Sequence, residues 1–187
     1  MRPSAKLVPI ALLALGALMT DGFAMDSTLR SHPDPATARF YEQHGAEVDA
    51  LVNKVFDSAR PMAERLAAFD ELQLAYPDAA TLAALDLVSD PHEQMAVAAA
   101  KLLSSSITMS NHTAHMEPVT DREEYLLAGH ERARQALRGA LSDTRRPVRE
   151  VAAETLSSLS DTASLDIVAK AAESGAYSQS EAVNYFG

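Results

Sequence analysis

Apolar residues along this chain recur every three or four positions, the spacing that gives a helix one apolar face. Asp34-Pro35 reads as a helix start, with Asp as the cap and Pro in the first turn. From there Phe40, Tyr41, His44, Val48, Leu51, Val52, Val55 and Phe56 predict a long first helix, Pro35 to Asp57. Pro61 opens a second, with Met62, Leu66, Phe69 and Leu72 on one face. Asp78 caps the next, which carries Leu82, Leu85 and Val88, and Pro91 opens one with Met95, Ala98, Ala99, Leu102 and Leu103. Thr120 and Glu123 form a capping box ahead of Tyr125, Leu126, Ala133, Leu137 and Leu141. Pro147 and Thr162 start two more helices, and Ser178 to Phe186 reads as a short last one. No run alternates with period two between turn signals, so no sheet is expected. The prediction is an all-α chain of about seven helices with an Ala-rich aliphatic core.

The helices repeat. Asp57-Ser-Ala-Arg-Pro-Met62, Asp90-Pro-His-Glu-Gln-Met95 and Asp143-Thr-Arg-Arg-Pro-Val148 share one frame: a turn Asp, an apolar residue five positions on, then an Ala-rich helix. Asp57 and Asp90 are 33 residues apart, and Asp90 and Asp143 are 53 apart. The surplus is assigned to an insert at 104–119 and the longer helix after it. A helical hairpin cannot bury its apolar face alone, so such units must stack on their neighbours.

The segment from Asp143 to Glu173 resembles a HEAT-type repeat of the phycobilisome-lyase-like class. The residues carrying the likeness are Asp143, the pair Val148-Arg149 and the di-alanine Ala152-Ala153. The other two units match less well, since Met62-Ala63 and Met95-Ala96 lack the Arg. The resemblance spans roughly two thirds of the chain after residue 24. It implies an α-α superhelix that binds protein surfaces, with Asp57, Asp90, Asp143 and Arg149 as structural repeat residues. It also implies that Arg149 pairs with Asp143 or with the equivalent Asp of an adjacent repeat.

Ahead of the helices, residues 1–24 read as an export signal. Arg2 and Lys6 precede an apolar stretch from Leu7 to Met19, and Gly22 and Ala24 place small residues before a cut after Ala24. The expected organisation is a signal peptide (1–24), a flexible N-terminal tail (25–34) and a single helical-repeat domain (35–187) in the periplasm or outside the cell. The apolar stretch is shorter than the ~20 residues of a spanning helix, so no stable membrane insertion is expected after cleavage.

Composition narrows the chemistry. The 187 residues contain no Cys, which removes disulfides, thiolate metal sites and thiol nucleophiles. A net charge of −10 argues against nucleic acid as a partner. There is no G-x-S-x-G, no glycine-rich phosphate loop and no H-E-x-x-H, so no enzyme is expected.

Two features could carry function. The first is basic: Arg132, Arg134, Arg138, Arg145, Arg146 and Arg149 fall within 18 positions of an otherwise acidic chain. Arg132, Arg138, Arg145 and Arg146 are the expected contacts for an acidic partner protein, on a concave face built from residues 82–90, 131–141 and 165–173. The second is the insert, where Met109, His112, His115 and Met116 offer thioether and imidazole ligands suited to copper. The leading expectation is a non-enzymatic scaffold or adaptor, or an inhibitor or immunity protein, without a cofactor. The alternative is a periplasmic copper-binding protein.

Overall fold

The structure, a computed structural model, describes residues 34–111, 121–175 and 177–186, except for the side chains of 109–111, 121–128, 179 and 185–186. The signal segment 1–24, nearly all of the 25–34 tail, and His112, His115 and Met116 lie outside the described residues. Among the described residues there are eight helices and no strand: α1 (Pro35–Phe56), α2 (Met62–Ala75), α3 (Pro77–Leu87), α4 (Glu93–Asn111), α5 (Asp121–Ala140), α6 (Arg146–Ser158), α7 (Ala163–Glu173) and α8 (Gln179–Phe186). None is long and apolar enough to cross a membrane.

Local chemistry sets the helix ends. The Asp34 carboxylate accepts from the Ala36 and Thr37 amides at 3.3 and 3.1 Å, capping α1 ahead of Pro35. Asp78 does not cap α3, as the sequence suggested. The helix starts one residue earlier, at Pro77, and Asp78 lies in its first turn, where a carboxylate favours the helix dipole. α6 ends in a Schellman turn: Ser160 adopts φ 51°, and the amides of Ser160 and Asp161 reach Ser157 O and Leu156 O at 2.9 and 3.0 Å. Ser178 and Glu181 form a reciprocal capping box on α8.

α4 runs to Asn111, so the first eight positions of the expected insert, 104–111, are helical. Ile107, within that stretch, is fully buried. The serines there do not break the helix because their hydroxyls turn back onto it. Ser105 Oγ donates to Lys101 O at 3.0 Å, Ser106 Oγ to Leu103 O at 2.9 Å and Thr108 Oγ1 to Ser104 O at 2.8 Å.

Successive helices pack from α1 through α6, and α3 also touches α5, α4 touches α6, and α6 touches α8. These skip-one contacts are what stacked helical hairpins make. The C-terminal pair departs from the pattern, because α7 packs chiefly on α8 rather than on α6. One core runs through the stack. Its large members, Phe69, Leu72, Met95, Leu103, Leu137 and Leu156, are fully buried, and so are Ala79, Ala80, Ala83, Ala84, Ala96, Ala99, Ala100, Ala152 and Ala153.

Candidate functional site

The three turn aspartates adopt the same local structure. Each carboxylate accepts the backbone N–H two residues on: Asp57 from Ala59 at 3.0 Å, Asp90 from His92 at 2.8 Å and Asp143 from Arg145 at 2.7 Å. This is the Asx turn that Asp readily forms. Each is also held by an arginine. Arg60 meets Asp57 at 3.2 Å in the open, Arg65 grips Asp90 out of solvent, and Arg145 forks onto Asp143 through Nε at 2.8 Å and Nη2 at 2.6 Å.

The grips connect into a column. Arg65 Nε donates to Val55 O at the end of α1, 2.7 Å away, while its Nη2 holds the Asp90 carboxylate. Arg145 Nη1 donates to Asp90 O, so one guanidinium joins the turn before α6 to the turn before α4. Arg149 Nη1 then donates to the carbonyls of Asp143 and Thr144, both at 2.9 Å, and its guanidinium sits 5.1 Å from the Tyr177 ring centroid. The expected Arg149–Asp143 carboxylate pair is replaced by carbonyl capping, because Arg145 already occupies both carboxylate oxygens. A fourth turn is held from a distance: Arg138 of α5 forks onto Asp161 at 2.9 and 2.6 Å and reaches Glu131 at 2.9 Å.

This arrangement changes the reading of the basic stripe. Arg138 and Arg145, expected at a partner surface, are each bound to carboxylates. Arg146 is exposed but lies 2.7 Å from Glu150 and 3.6 Å from Glu181. Arg132 is exposed and makes no ion pair with a described residue. Two of the four, Arg138 and Arg145, are thus engaged within the stack, while Arg132 and Arg146 stay exposed.

Arg65 was missed by sequence reading, although a signal existed. It occupies the 62, 65, 69, 72 stripe of α2, where an apolar residue belongs, and it is 1% exposed. A charge at such a position must be paired.

The clamps shift acidities. Hydrogen bonds from Arg145 hold Asp143 below the usual carboxylate range, and those from Arg138 do the same for Asp161. Burial pulls Asp90 upward, but the bonds from Arg65 and His92 outweigh it and leave Asp90 lowered. A carboxyl with a depressed folded pKa contributes stability that is present above its unfolded value, about 3.9, and lost as pH falls through the folded one. The protein should therefore hold its melting temperature from neutral pH down to about pH 5 and lose it steeply below about pH 4. Replacing Asp143 and Asp161 by Asn should flatten that acid limb in a pH series of thermal melts.

Two surface features remain. Between α4 and α6 lies an open groove of about 410 Å³, lined by Lys101, Ser104, Ser105, Val151, Glu154, Thr155 and Ser158. Thr155 Oγ1 lies 2.8 Å from Ser104 Oγ and 2.7 Å from Val151 O, so these hydroxyls serve helix packing. At the other end, Phe40, Tyr41, His44 and Tyr76 form a ring cluster with Glu47 at its rim.

The proposed copper ligands His112, His115 and Met116, with the side chain of Met109, lie outside the described residues. Among the described residues no three His, Asp or Glu side chains gather closely enough for a metal ion. Half-buried His130 is held below the ordinary histidine pKa by burial and then by Arg134, which favours its neutral form. No protein-family model, no curated protein and no solved structure matches the chain.

Proposed function

We propose that this chain is an exported, non-enzymatic helical-repeat protein that holds a partner protein. The observation that carries the reading is the recurrence of one turn, an Asx-turn aspartate gripped by arginine, at Asp57, Asp90 and Asp143. Repetition of a local structure at helix-pair intervals is how HEAT-type stacks are built, and such stacks present long surfaces rather than enclosed sites. The internal use of Arg138 and Arg145 turns the expected partner from acidic to basic. Residues 34–93 carry 12 acidic and four basic side chains, and two of those four, Arg60 and Arg65, are paired with carboxylates.

The test has two parts. Expressed with its own leader in a Gram-negative host, the protein should appear in the osmotic-shock fraction with Met25 at its N-terminus; an uncut chain retained in the cytoplasm would refute export. Immobilised chain should then retain a defined envelope protein at low salt and release it at high salt, as screening requires. Variants reversing Glu47 and Glu71 should lose that protein, whereas Arg132→Glu should keep it. Loss with Arg132→Glu alone would restore the acidic-partner reading.

A further inference from the structure

We propose that the α1–α2 end of the stack is the docking surface for an arginine- or lysine-bearing segment of the partner, seated on Phe40 and His44, the surface members of the ring cluster. The inference rests on the partner-binding reading above and gives it a location and a chemistry.

The rings come from two helices brought together by the core. The Phe40 centroid lies 4.6 Å from His44, 5.4 Å from Tyr41 and 5.8 Å from Tyr76, and His44 lies 5.9 Å from Tyr76. Tyr41 and Tyr76 are buried, and Tyr41 Oη accepts the Asp78 amide at 3.2 Å, so the cluster has a fixed floor. Phe40 stands on that floor 40% exposed, whereas Phe69 and Tyr177 are buried. Leu74, two residues before Tyr76, is 88% exposed. Rings this close touch one another and leave no hollow between them. The surface therefore suits a side chain laid against Phe40 and His44, not an enclosed small molecule.

Charge selects the occupant. Glu47 Oε2 accepts from Tyr76 Oη at 2.5 Å and lies 3.3 Å from His44 Nδ1. Those bonds keep Glu47 ionised at the cluster rim. Glu71 lies near enough to act on the Tyr76 phenol. Arg39 is the cation next to Phe40 in sequence, and Lys54 sits in the last turn of α1. Ring faces attract cations through their quadrupole, and neighbouring carboxylates add to that attraction. Exposed aromatics on rigid supports are also the usual anchors of protein interfaces.

The test uses a labelled peptide alternating Arg and Ser, with its Glu-Ser counterpart, titrated by fluorescence anisotropy against the chain from Met25 at low salt. The Arg peptide should bind and the Glu peptide should not. Phe40→Leu keeps an apolar side chain but removes the ring, so it should weaken binding about five-fold, the equivalent of about 1 kcal/mol. Glu47→Gln should weaken it too. Asp166→Asn with Glu173→Gln, remote acids on α7, should leave it unchanged. Equal binding by wild type and Phe40→Leu overturns the proposal, as does equal loss in the α7 variant. Peptide binding that emerges only after residues 25–33 are removed overturns it as well, by assigning the surface to the chain's own Arg30. If the peptide fails here while the envelope protein is still retained, this location is wrong and the partner-binding reading survives.

Discussion

Arg65→Ala should destabilise the protein by about 3–5 kcal/mol and lower its melting temperature by roughly 10 °C. The side chain is 2% exposed and the Asp90 carboxylate it grips is 8% exposed. Removing the guanidinium leaves that carboxylate buried without its counter-charge and strips Val55 O, at the end of α1, of its side-chain donor. The loss arises less from the pair's own attraction than from the charge left behind. Two comparisons separate these causes. Arg65→Met keeps most of the volume, so its loss reports charge rather than packing. Arg65→Met combined with Asp90→Asn should lose less than the sum of the two single changes, by about 0.5–3 kcal/mol, since the orphaned charge is gone. Denaturant unfolding followed by circular dichroism measures all four proteins. Strict additivity would mean that the column of clamped turns does not act as a unit.

The column also shows which parts of the molecule could be read from the sequence. The starts of α1, α2 and α7 follow from Asp34-Pro35, Pro61 and Thr162, because helix initiation is decided within a few residues. The shared Asp frame at 57, 90 and 143 was visible as spacing, and the Asx turns give that spacing its cause. The internal partners of the basic stripe were not legible, for the opposite reason. A cluster of arginines in sequence looks like a cluster of free charge, but the partners come from elsewhere: Arg138 meets Asp161, 23 residues away, and Arg145 meets Asp90 O, 55 residues away. Only the stacking of the turns brings these groups together. The insert boundary failed on a local ambiguity. Ser104, Ser105 and Ser106 resemble a helix end until Ser104 Oγ is seen accepting from Thr155 Oγ1, and Ser105 and Ser106 donating to Lys101 O and Leu103 O. Phe40, His44 and Tyr76 were legible as residues but not as a cluster, since Tyr76 joins from the turn after α2.

Ala99→Phe should destabilise the chain by about 3 kcal/mol, at the upper end for overpacking a closed core. Ala96, Ala99 and Ala100 on α4 are fully buried, as are Ala152 and Ala153 on α6, the helix α4 packs against. Small residues at such an interface let helix axes come close, and interiors at crystal-like density leave no room for a ring. The same replacement at exposed Ser105, on the same helix, should fall within about 0.5 kcal/mol of wild type, because solvent takes up the added volume. The contrast discriminates between two kinds of stack. If Ala99→Phe is as mild as Ser105→Phe, the helices around α4 move apart easily and the surface they carry is compliant. If the loss is large, the alanines set the helix spacing. The rings at the α1–α2 end are then presented by a framework that does not yield, so a partner meets them already in place.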